Sequence, residues 1–412
     1  MAATPKILHV LAQRPGLTGS GVTLDALTRS AAQEGWDQAV VAGVPFDEPE
    51  TFVGGLSSRS VHPLLFGGEA LPFPVPGMSD VMPYPSTRYS DLDPDRIALY
   101  RDAWRGHLEG VLADFDPDLI HSHHVWLLSS LLKDIRPDIP VATHCHATGF
   151  RQMALCPHLA YEVREGCRRN DAFFTLHPGH AAELQRILDV PAARVHMVGA
   201  GYRDDVFHPL GAVGDRGRRI LYTGKYSAAK GLPQLLDAVE VLHRRHPDLQ
   251  LHVAGTGAGA EAEDLRRRMD AMGGLVVRHG QVSQLELADL MRSCAVCALP
   301  SFYEGVPLVL VEALACACRL VATRLPGVEE ELKPALDEHL TLVPLPRLES
   351  VDVPHEPDLP VFVERLVRAL DEALEAPPVD VEGAGFGRAL APFTWTSVFD
   401  RVERVWMELL DG

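Results

Sequence analysis

Two glutamates stand eight positions apart around an apolar stretch, in the run SFYEGVPLVLVEALACACRLVAT of residues 301–323. The letters AVCALPS, which lead into this run, predict a strand, and the residues from Pro307 onward predict a helix. Glu304 is therefore expected on a loop after a strand, and Glu312 inside the helix. Gly305 would let a ligand approach the backbone closely, and free amides at a helix start favour an anion such as a diphosphate. A capping acid followed by a half-exposed helix acid would give the same pattern.

Two lysines follow another predicted strand, RRILYTG. Lys225 comes directly after it, and Lys230 stands five residues on, where Lys230 and Gly231 open the next predicted helix. Two cations at a strand end could stabilise the charge that develops on a leaving diphosphate. The alternative is a pair of solvated surface lysines.

A glycine-rich loop, GLTGSG, follows the first predicted strand and precedes a helix. Gly19, Ser20 and Gly21 could cradle a phosphate there. The dinucleotide-binding pattern of dehydrogenases offers the same picture. However, Leu24 stands where its third glycine would be, and the second strand ends in VVAG without an acid for the ribose.

Histidines follow two further strands of the same half. The run VATHCHATGF carries His144 and His146, and HSHH carries His121, His123 and His124. This spacing does not supply a convincing set of four zinc ligands, so we expect no metal site. Polar contacts or proton transfer at a ligand are the preferred roles of these histidines.

The elements that must position these residues form two series along the chain. Strand–helix–strand repetition predicts a parallel sheet covered by helices, first from KILHVLA to NDAFFTLHPGHAAELQRILDV and again from RRILYTGK near residue 218. The turn-rich run GAGYRDDVFHPLGAVGDRG between them indicates a linker. We therefore expect an N-terminal domain over residues 1–205, completed by a C-terminal helix at 394–412, and a second domain over residues 215–390.

Residues 44–95 are rich in Pro, Gly and Ser and show no clear period. A segment of that length without regular structure is either mobile or functional. Its apolar residues are numerous for a loop, which favours a lid facing an acceptor over a loop that packs on its own domain. They include Phe66, Phe73, Met78, Met82 and Tyr84. A second irregular stretch, Pro-rich and acidic, is expected at about 350–385.

The composition is that of a globular protein of 412 residues, 46% hydrophobic and 23% charged. The net charge of −18 disfavours nucleic acid or an anionic membrane as partner of the whole surface. The first apolar run, Ile7 to Ala12, is too short for a membrane span and lacks the features of a signal peptide. Seven cysteines at irregular spacing fit reduced thiols. We expect a cytoplasmic protein.

Taken together, these features resemble the retaining glycosyltransferases of family 4. These enzymes have the GT-B fold, an α/β architecture of two facing Rossmann-like doubly wound domains with a cleft between them. The resemblance covers nearly the whole chain. Its most specific part is EGVPLVLVEA, which matches the family's Glu-x7-Glu signature at Glu304 and Glu312. Further matches are GKYSAAKG, HVAGTG, RLPGVEEEL and FTWTSVFDRVERVW.

The resemblance implies a role for each matched residue. Glu304 would contact the transferred sugar, Glu312 would hold the ribose hydroxyls, and the two lysines would bind the diphosphate. A histidine near the sugar matches His146, with His144 as a rival. The implied catalytic residues are Glu304, His146, Lys225 and Lys230. The implied donor-binding residues are Gly19, Ser20, Gly21, Lys225, Lys230, Glu304, Gly305, Val306, Pro307, Leu308 and Glu312. The sequence departs from the family where Lys225 replaces the usual Arg and where Ser20 replaces part of a double glycine.

The implied reaction is transfer of a hexose from a nucleotide diphosphate sugar to an acceptor hydroxyl, with retention at the anomeric carbon. The acceptor would be a small molecule, a glycan or a natural product. No metal and no other cofactor is implied, because lysines and helix amides can stabilise the diphosphate. Two alternatives stay open, a nucleotide-sugar epimerase on the same fold and a non-catalytic nucleotide-sugar binding protein. A homodimer is also left open.

Overall fold

The computed structural model describes residues 4–16, 18–79, 82–211, 214 and 216–412. Leu17 of the glycine-rich loop, residues 80 and 81 of the expected lid, and the expected second-domain start at Asp215 lie outside the described residues. The chain divides into two compact units. The first comprises Met1–Ala200 and Trp395–Gly412, and the second comprises Gly201–Thr394.

Strands and helices alternate along most of the chain. The strands are β1 (Lys6–Leu11), β2 (Asp37–Pro45), β3 (Val61–Phe66), β4 (Pro76–Gly77), β5 (Thr87–Arg88), β6 (Leu119–His123), β7 (Val141–His144), β8 (Ala172–Thr175), β9 (Val195–Met197), β10 (Arg219–Thr223), β11 (Gln250–Ala254), β12 (Val276–Gly280), β13 (Val296–Leu299), β14 (Arg319–Thr323) and β15 (Leu340–Val343). The helices are α1 (Gly19–Gln33), α2 (Pro94–Phe115), α3 (Leu127–Ile135), α4 (Thr148–Leu155), α5 (Pro157–Cys167), α6 (Pro178–Leu188), α7 (Leu232–His243), α8 (Ala260–Ala271), α9 (Gln284–Ser293), α10 (Leu308–Ala315), α11 (Lys333–Leu336), α12 (Leu359–Glu375), α13 (Ala384–Leu390) and α14 (Trp395–Asp411).

The sheet of the first unit is parallel, with the strand order β3-β2-β1-β6-β7-β8-β9. Its central strands are buried on both faces, as expected for a parallel sheet between helices. The last helix, α14, belongs to this unit. Its Trp406 ring lies 5.2 Å from that of Trp36, whose indole N–H donates to Glu403 Oε1 at 2.7 Å.

The sheet of the second unit is also parallel, with the order β12-β11-β10-β13-β14-β15. Helix starts follow the local sequence, as at α9, where Ser283 and Glu286 form a reciprocal capping box. Strands β10 and β13 are neighbours, so the loops at their carboxyl ends emerge side by side. These observations confirm the predicted α/β architecture of two doubly wound parallel sheets.

The stretch expected to form a lid is packed into the first unit. Phe66, Phe73, Met78 and Tyr84 are at most 6% exposed and belong to one core with helices α2, α3 and α5. Met82 packs partly buried against them. The apolar residues that suggested an acceptor-facing lid are therefore core residues, and their packing supports the alternative of a loop that packs on its own domain.

Two stretches that the sequence analysis treats as irregular contain regular elements. Strand β3 lies within residues 44–95 and carries Pro63, which an edge strand tolerates because its missing N–H faces away from the sheet. Helix α12 lies within the acidic stretch at 350–385 and buries Phe362 and Leu366. Both elements had been expected as irregular segments.

Candidate active site

Glu304 lies on the loop between β13 and α10, and its carboxylate is held from two sides. Ser301 is fully buried and donates its hydroxyl proton to Glu304 Oε1 at 2.7 Å. Lys230 Nζ donates to the same oxygen at 2.8 Å. Across the described residues, no donor reaches Glu304 Oε2. The carboxylate therefore has one anchored oxygen and one that a ligand can reach.

Lys230 is brought to Glu304 by a close approach of two loops. It ends a 3-10 turn, Ala228–Lys230, directly before α7. Gly231 follows with φ of 66°, and a Cβ atom there would lie 2.0 Å from the carbonyl oxygen of Pro300. Only glycine combines this conformation with this proximity. Phe302 N also donates to Ala229 O at 2.9 Å, which fixes one loop on the other.

The far side of the Glu304 loop packs against the loop that follows β14. A Cβ atom on Gly327 would lie 1.9 Å from Gly305 O, although Gly327 has an ordinary φ of −64°. Glycine is needed at position 327 for space and not for conformation. Gly305 itself has open space in front of it, as a backbone that receives a ligand requires.

The last residues of this loop lead directly into α10. Pro307 is the residue before the first helical residue, Leu308, one position earlier than the sequence suggested. Val306 and Leu308 are partly buried and pack against the core of the second unit. Their side chains therefore fix the backbone at the start of the helix.

Lys225 follows the same strand as Lys230 but has a different environment. Its side chain is exposed, and within the described ranges it forms no ion pair. Its backbone is held by Tyr222, whose buried hydroxyl donates to Lys225 O at 2.7 Å. Burial raises the pKa of this phenol, and the negative charge of Glu304 raises it further. The structure thus places Lys230 next to Glu304, whereas the side chain of Lys225 is hydrogen-bonded to neither of these two residues.

Glu312 lies in the second turn of α10 and is partly buried. Burial raises the pKa of its carboxyl group to about 7. No hydrogen-bond donor in the described part of the chain reaches that carboxyl. Groups whose pKa is perturbed by burial are concentrated at binding sites, where a ligand can supply hydrogen-bond donors.

Gly19, Ser20 and Gly21 form the first turn of α1, whereas the sequence placed them in a preceding loop. Thr18 caps the helix, its hydroxyl oxygen accepting from Gly21 N at 3.2 Å. Gln13 Nε2 donates to the buried Ser20 hydroxyl at 2.6 Å. The amide of Gly21 and the hydroxyl of Ser20 thus have partners within the protein, and Gly19 is the exposed residue of the three.

His146 and its rival His144 differ in accessibility. His144 ends β7, is 1% exposed, and has neither ring nitrogen hydrogen-bonded to another described residue. His146 lies in the following loop, partly exposed, with its Nε2 3.2 Å from Nδ1 of His123. Burial lowers the pKa of His144 to about 3 and that of His146 well below 6.5. Of the two, His146 is the one that a ligand could contact.

Four buried histidines of the first unit, His144 among them, form a row of imidazoles across β1, β6 and β7. Ring centroids are 5.7 Å apart between His9 and His121, 5.0 Å between His121 and His123, and 5.8 Å between His123 and His144. Burial lowers the pKa of His9 to about 4. The row is therefore neutral at pH 7. Among the described residues, no three His, Cys, Asp or Glu side chains are arranged to hold a metal ion.

Sequence reasoning missed Ser301 and Gln13, which hold two of the expected site residues. Both are buried polar side chains at the carboxyl end of a strand. The only trace in the sequence is a polar residue where an apolar strand ends, and this pattern is too common to single them out.

Comparison with known protein families finds a match in each unit. Residues 18–201 match the family described as glycosyl transferase 4-like domain. Residues 217–347 match the family described as glycosyl transferases group 1. Together the two matches span most of the chain.

Curated proteins are similar over part of their length. A D-inositol 3-phosphate glycosyltransferase of Arthrobacter sp. is 32% identical over 167 residues, which are 38% of this chain and 40% of that protein. A phosphatidyl-myo-inositol mannosyltransferase of Mycobacterium tuberculosis is 29% identical over 262 residues, 60% of this chain and 63% of that protein. The chain thus covers less than two thirds of these relatives.

Solved structures share the fold over the full chain. Sucrose-phosphate synthase from Thermosynechococcus elongatus has a TM-score of 0.68 at 17% identity, covering 99% of this chain and 100% of that one. The Anabaena protein HepE, crystallised in complex with UDP and glucose, has a TM-score of 0.65 at 14% identity, covering 98% and 100%. Among the described residues, none of the helices combines the length and apolar character needed to cross a bilayer.

Proposed function

Since this chain belongs to the family-4-like glycosyltransferases with the GT-B fold, we propose that it transfers a hexose from a nucleotide diphosphate sugar to an acceptor hydroxyl. The observation that carries the proposal is the carboxylate of Glu304, anchored through one oxygen by Lys230 and Ser301. Sugar hydroxyls donate well to a fixed carboxylate, and a lysine beside it attracts the diphosphate.

Each site residue takes a distinct part in this reaction. Glu304 contacts the transferred hexose, and Glu312 accepts hydrogen bonds from the ribose hydroxyls, which supply the donors that its partly buried carboxyl lacks. Lys230 and Lys225 bind the diphosphate. Gly305 and the backbone from Val306 to Leu308 receive the phosphates and sugar at the start of α10.

The first unit carries the other residues that the family resemblance assigns to donor binding. His146 contacts the hexose, which its partly exposed position supports. The amino-terminal turn of α1, with Gly19, Ser20 and Gly21, favours a phosphate because helix amides and the helix dipole both attract an anion. Gly19 is the most exposed of these three residues.

Charge on the leaving diphosphate increases as the glycosidic bond breaks, so groups that meet it in the transition state lower the barrier most. Lysine ammonium groups and helix amides can do this without a divalent cation. We therefore expect activity without metal, and the resemblance to the retaining enzymes of family 4 further leads us to expect retention at the anomeric carbon. EDTA should leave the rate unchanged, whereas a loss restored by one divalent metal would contradict this part of the proposal.

The decisive experiment is incubation with nucleotide diphosphate hexoses labelled in the sugar, varied in base and hexose. D-inositol 3-phosphate is the first acceptor to test, because the name of one relative contains it. A labelled glycoside whose anomeric configuration matches the donor is the expected product. An isomerised donor formed without acceptor would instead identify an epimerase. Binding without turnover across the whole panel would identify a non-catalytic binding protein.

A further inference from the structure

Ser301 engages the oxygen of Glu304 that also receives Lys230. Its hydroxyl lies 2.7 Å from Glu304 Oε1, the distance of a charge-assisted hydrogen bond to a carboxylate. Ser301 is 0% exposed and lies two residues beyond β13, so its position is set by the sheet. The donor to Glu304 is therefore rigid, whereas Lys230 reaches the same oxygen through a flexible side chain.

We propose that Ser301 is a positioning residue that keeps the Glu304 carboxylate oriented when Lys230 is drawn to the diphosphate. This inference rests on the proposed function. Lys230 Nζ divides its hydrogen bonds between Glu304 Oε1 and Tyr303 O, at 2.8 and 3.3 Å. A diphosphate is a stronger partner than either and competes for the ammonium group. Ser301 then remains the anchor that leaves Glu304 Oε2 directed at the sugar.

The test compares Ser301→Ala, Ser301→Thr and the control Ser293→Ala. Ser293 lies in α9 and donates to Leu290 O, outside the site. Ser301→Ala should lower kcat about 10-fold, the effect of losing one such hydrogen bond, with the donor dissociation constant unchanged. The threonine variant retains the hydroxyl and should restore most of the rate. Ser293→Ala should match the wild type.

A double-mutant cycle shows whether Ser301 acts through Glu304. In a Glu304→Ala background, adding Ser301→Ala should lower kcat no further. A purely structural effect of the serine would instead lower kcat by the same factor in both backgrounds. Wild-type kcat in Ser301→Ala, or full multiplication in the cycle, would overturn the inference while leaving the transferase intact.

A stability measurement, which does not depend on catalysis, separates the role of Ser301 from the proposed transferase function. The same cycle in urea denaturation should show coupling between positions 301 and 304 in the unfolding equilibrium, whether or not the chain transfers sugar. Independent effects there would also overturn the inference. A wild-type chain that transfers no sugar would instead overturn the proposed function.

Discussion

Folding stability and the proposed nucleotide contact favour opposite protonation states of the Glu312 carboxyl group. An ionised carboxylate is the better acceptor for ribose hydroxyls, whereas burial favours the neutral acid and raises its pKa from 4.5 to about 7. Because the folded pKa lies above the unfolded one, the stabilisation from protonation is complete below about pH 4.5 and is lost as the pH rises through about 7.

Glu312→Gln, which is permanently neutral, should therefore gain stability over the wild type as the pH rises from 5 to 8. Urea denaturation at both values measures the difference. The same variant should bind the nucleotide sugar more weakly at pH 8, and calorimetry measures this loss. A stability difference independent of pH would show that burial does not perturb this carboxyl, and an unchanged donor affinity would remove its ribose role.

Replacing either Lys230 or Lys225 by alanine should lower the turnover number. Charge on the diphosphate increases in the transition state, so each alanine variant should cost on the order of 10²-fold in kcat, as removal of an electrostatic stabiliser does. Steady-state kinetics with saturating donor measures the loss. Lys333→Ala, which removes a lysine elsewhere in the second unit, is the matched control. A wild-type rate in Lys230→Ala would remove this lysine from the proposed mechanism.

At the scale of the elements, the loop after β14 contacts the Glu304 loop through Gly327 and Gly305. A substitution at Gly327, outside the site, should therefore displace the Glu304 loop. Gly327→Ala places a methyl group 1.9 Å from Gly305 O, so the loop must move. We expect the donor to bind at least about 10-fold more weakly, the cost of one lost charge-assisted hydrogen bond. Calorimetry checks this, with Gly387→Ala as control because its new methyl group meets no atom within 4 Å. Equal affinity in the two variants would show that the loop adjusts without loss.

The segment expected to be a lid gives a stability prediction instead. Phe73 is 3% exposed, with its ring 5.9 Å from that of Phe66. Truncation to alanine should destabilise the first unit by about 3–5 kcal/mol through the cavity it leaves. Phe52→Ala, at a residue 79% exposed in the same unit, should have little effect in the same denaturation experiment. A Phe73→Ala variant of wild-type stability with impaired acceptor kinetics would restore the lid hypothesis.

Most elements with a strong period were predicted from the sequence. Helix α12 is the exception, because its buried Phe362, Leu366 and Leu370 recur every four residues in a stretch expected to be irregular. Strands β1 and β10 were predictable because they are short apolar runs between turn signals. Strand β3 was not, since His62 and Pro63 interrupt its pattern and only an edge position makes them tolerable. The pairing of Lys230 with Glu304 depends on β10 and β13 being neighbours in the sheet although they are far apart in sequence.

For the whole molecule, the buried histidines predict that acid unfolds the first unit before the second. Burial lowers the pKa of His9 to about 4 and those of His124 and His144 to about 3. In the unfolded chain the pKa of a histidine is 6.5. The neutral histidines therefore contribute their full stabilisation of the fold above pH 6.5, and this contribution is lost as the pH falls towards 4. Each such histidine costs about 1.4 kcal/mol per pH unit in that window.

Cysteine accessibility can follow this transition, because the seven thiols are buried in the folded protein. Three lie in the first unit, Cys145, Cys156 and Cys167, and four in the second, Cys294, Cys297, Cys316 and Cys318. On stepwise acidification, 4,4′-dithiodipyridine should label the first three before the other four, as peptide mapping would show. The protein at pH 7.5 is the unlabelled control. Labelling of all seven thiols together, or of the four first, would contradict the prediction.

The membership of α14 in the first unit also sets an order of events during synthesis. Its 17 residues carry Trp406, which packs on the rings of Trp36 and His121, yet they leave the ribosome only after the second unit. At about 5–20 residues per second, the roughly 200 residues in between take about 10–40 s. Throughout that interval one face of the nascent sheet lacks the part of its cover that α14 provides. A chain stalled before residue 395 would therefore lack the helix that completes its first unit, and we expect chaperones to bind this early-synthesised half until α14 emerges.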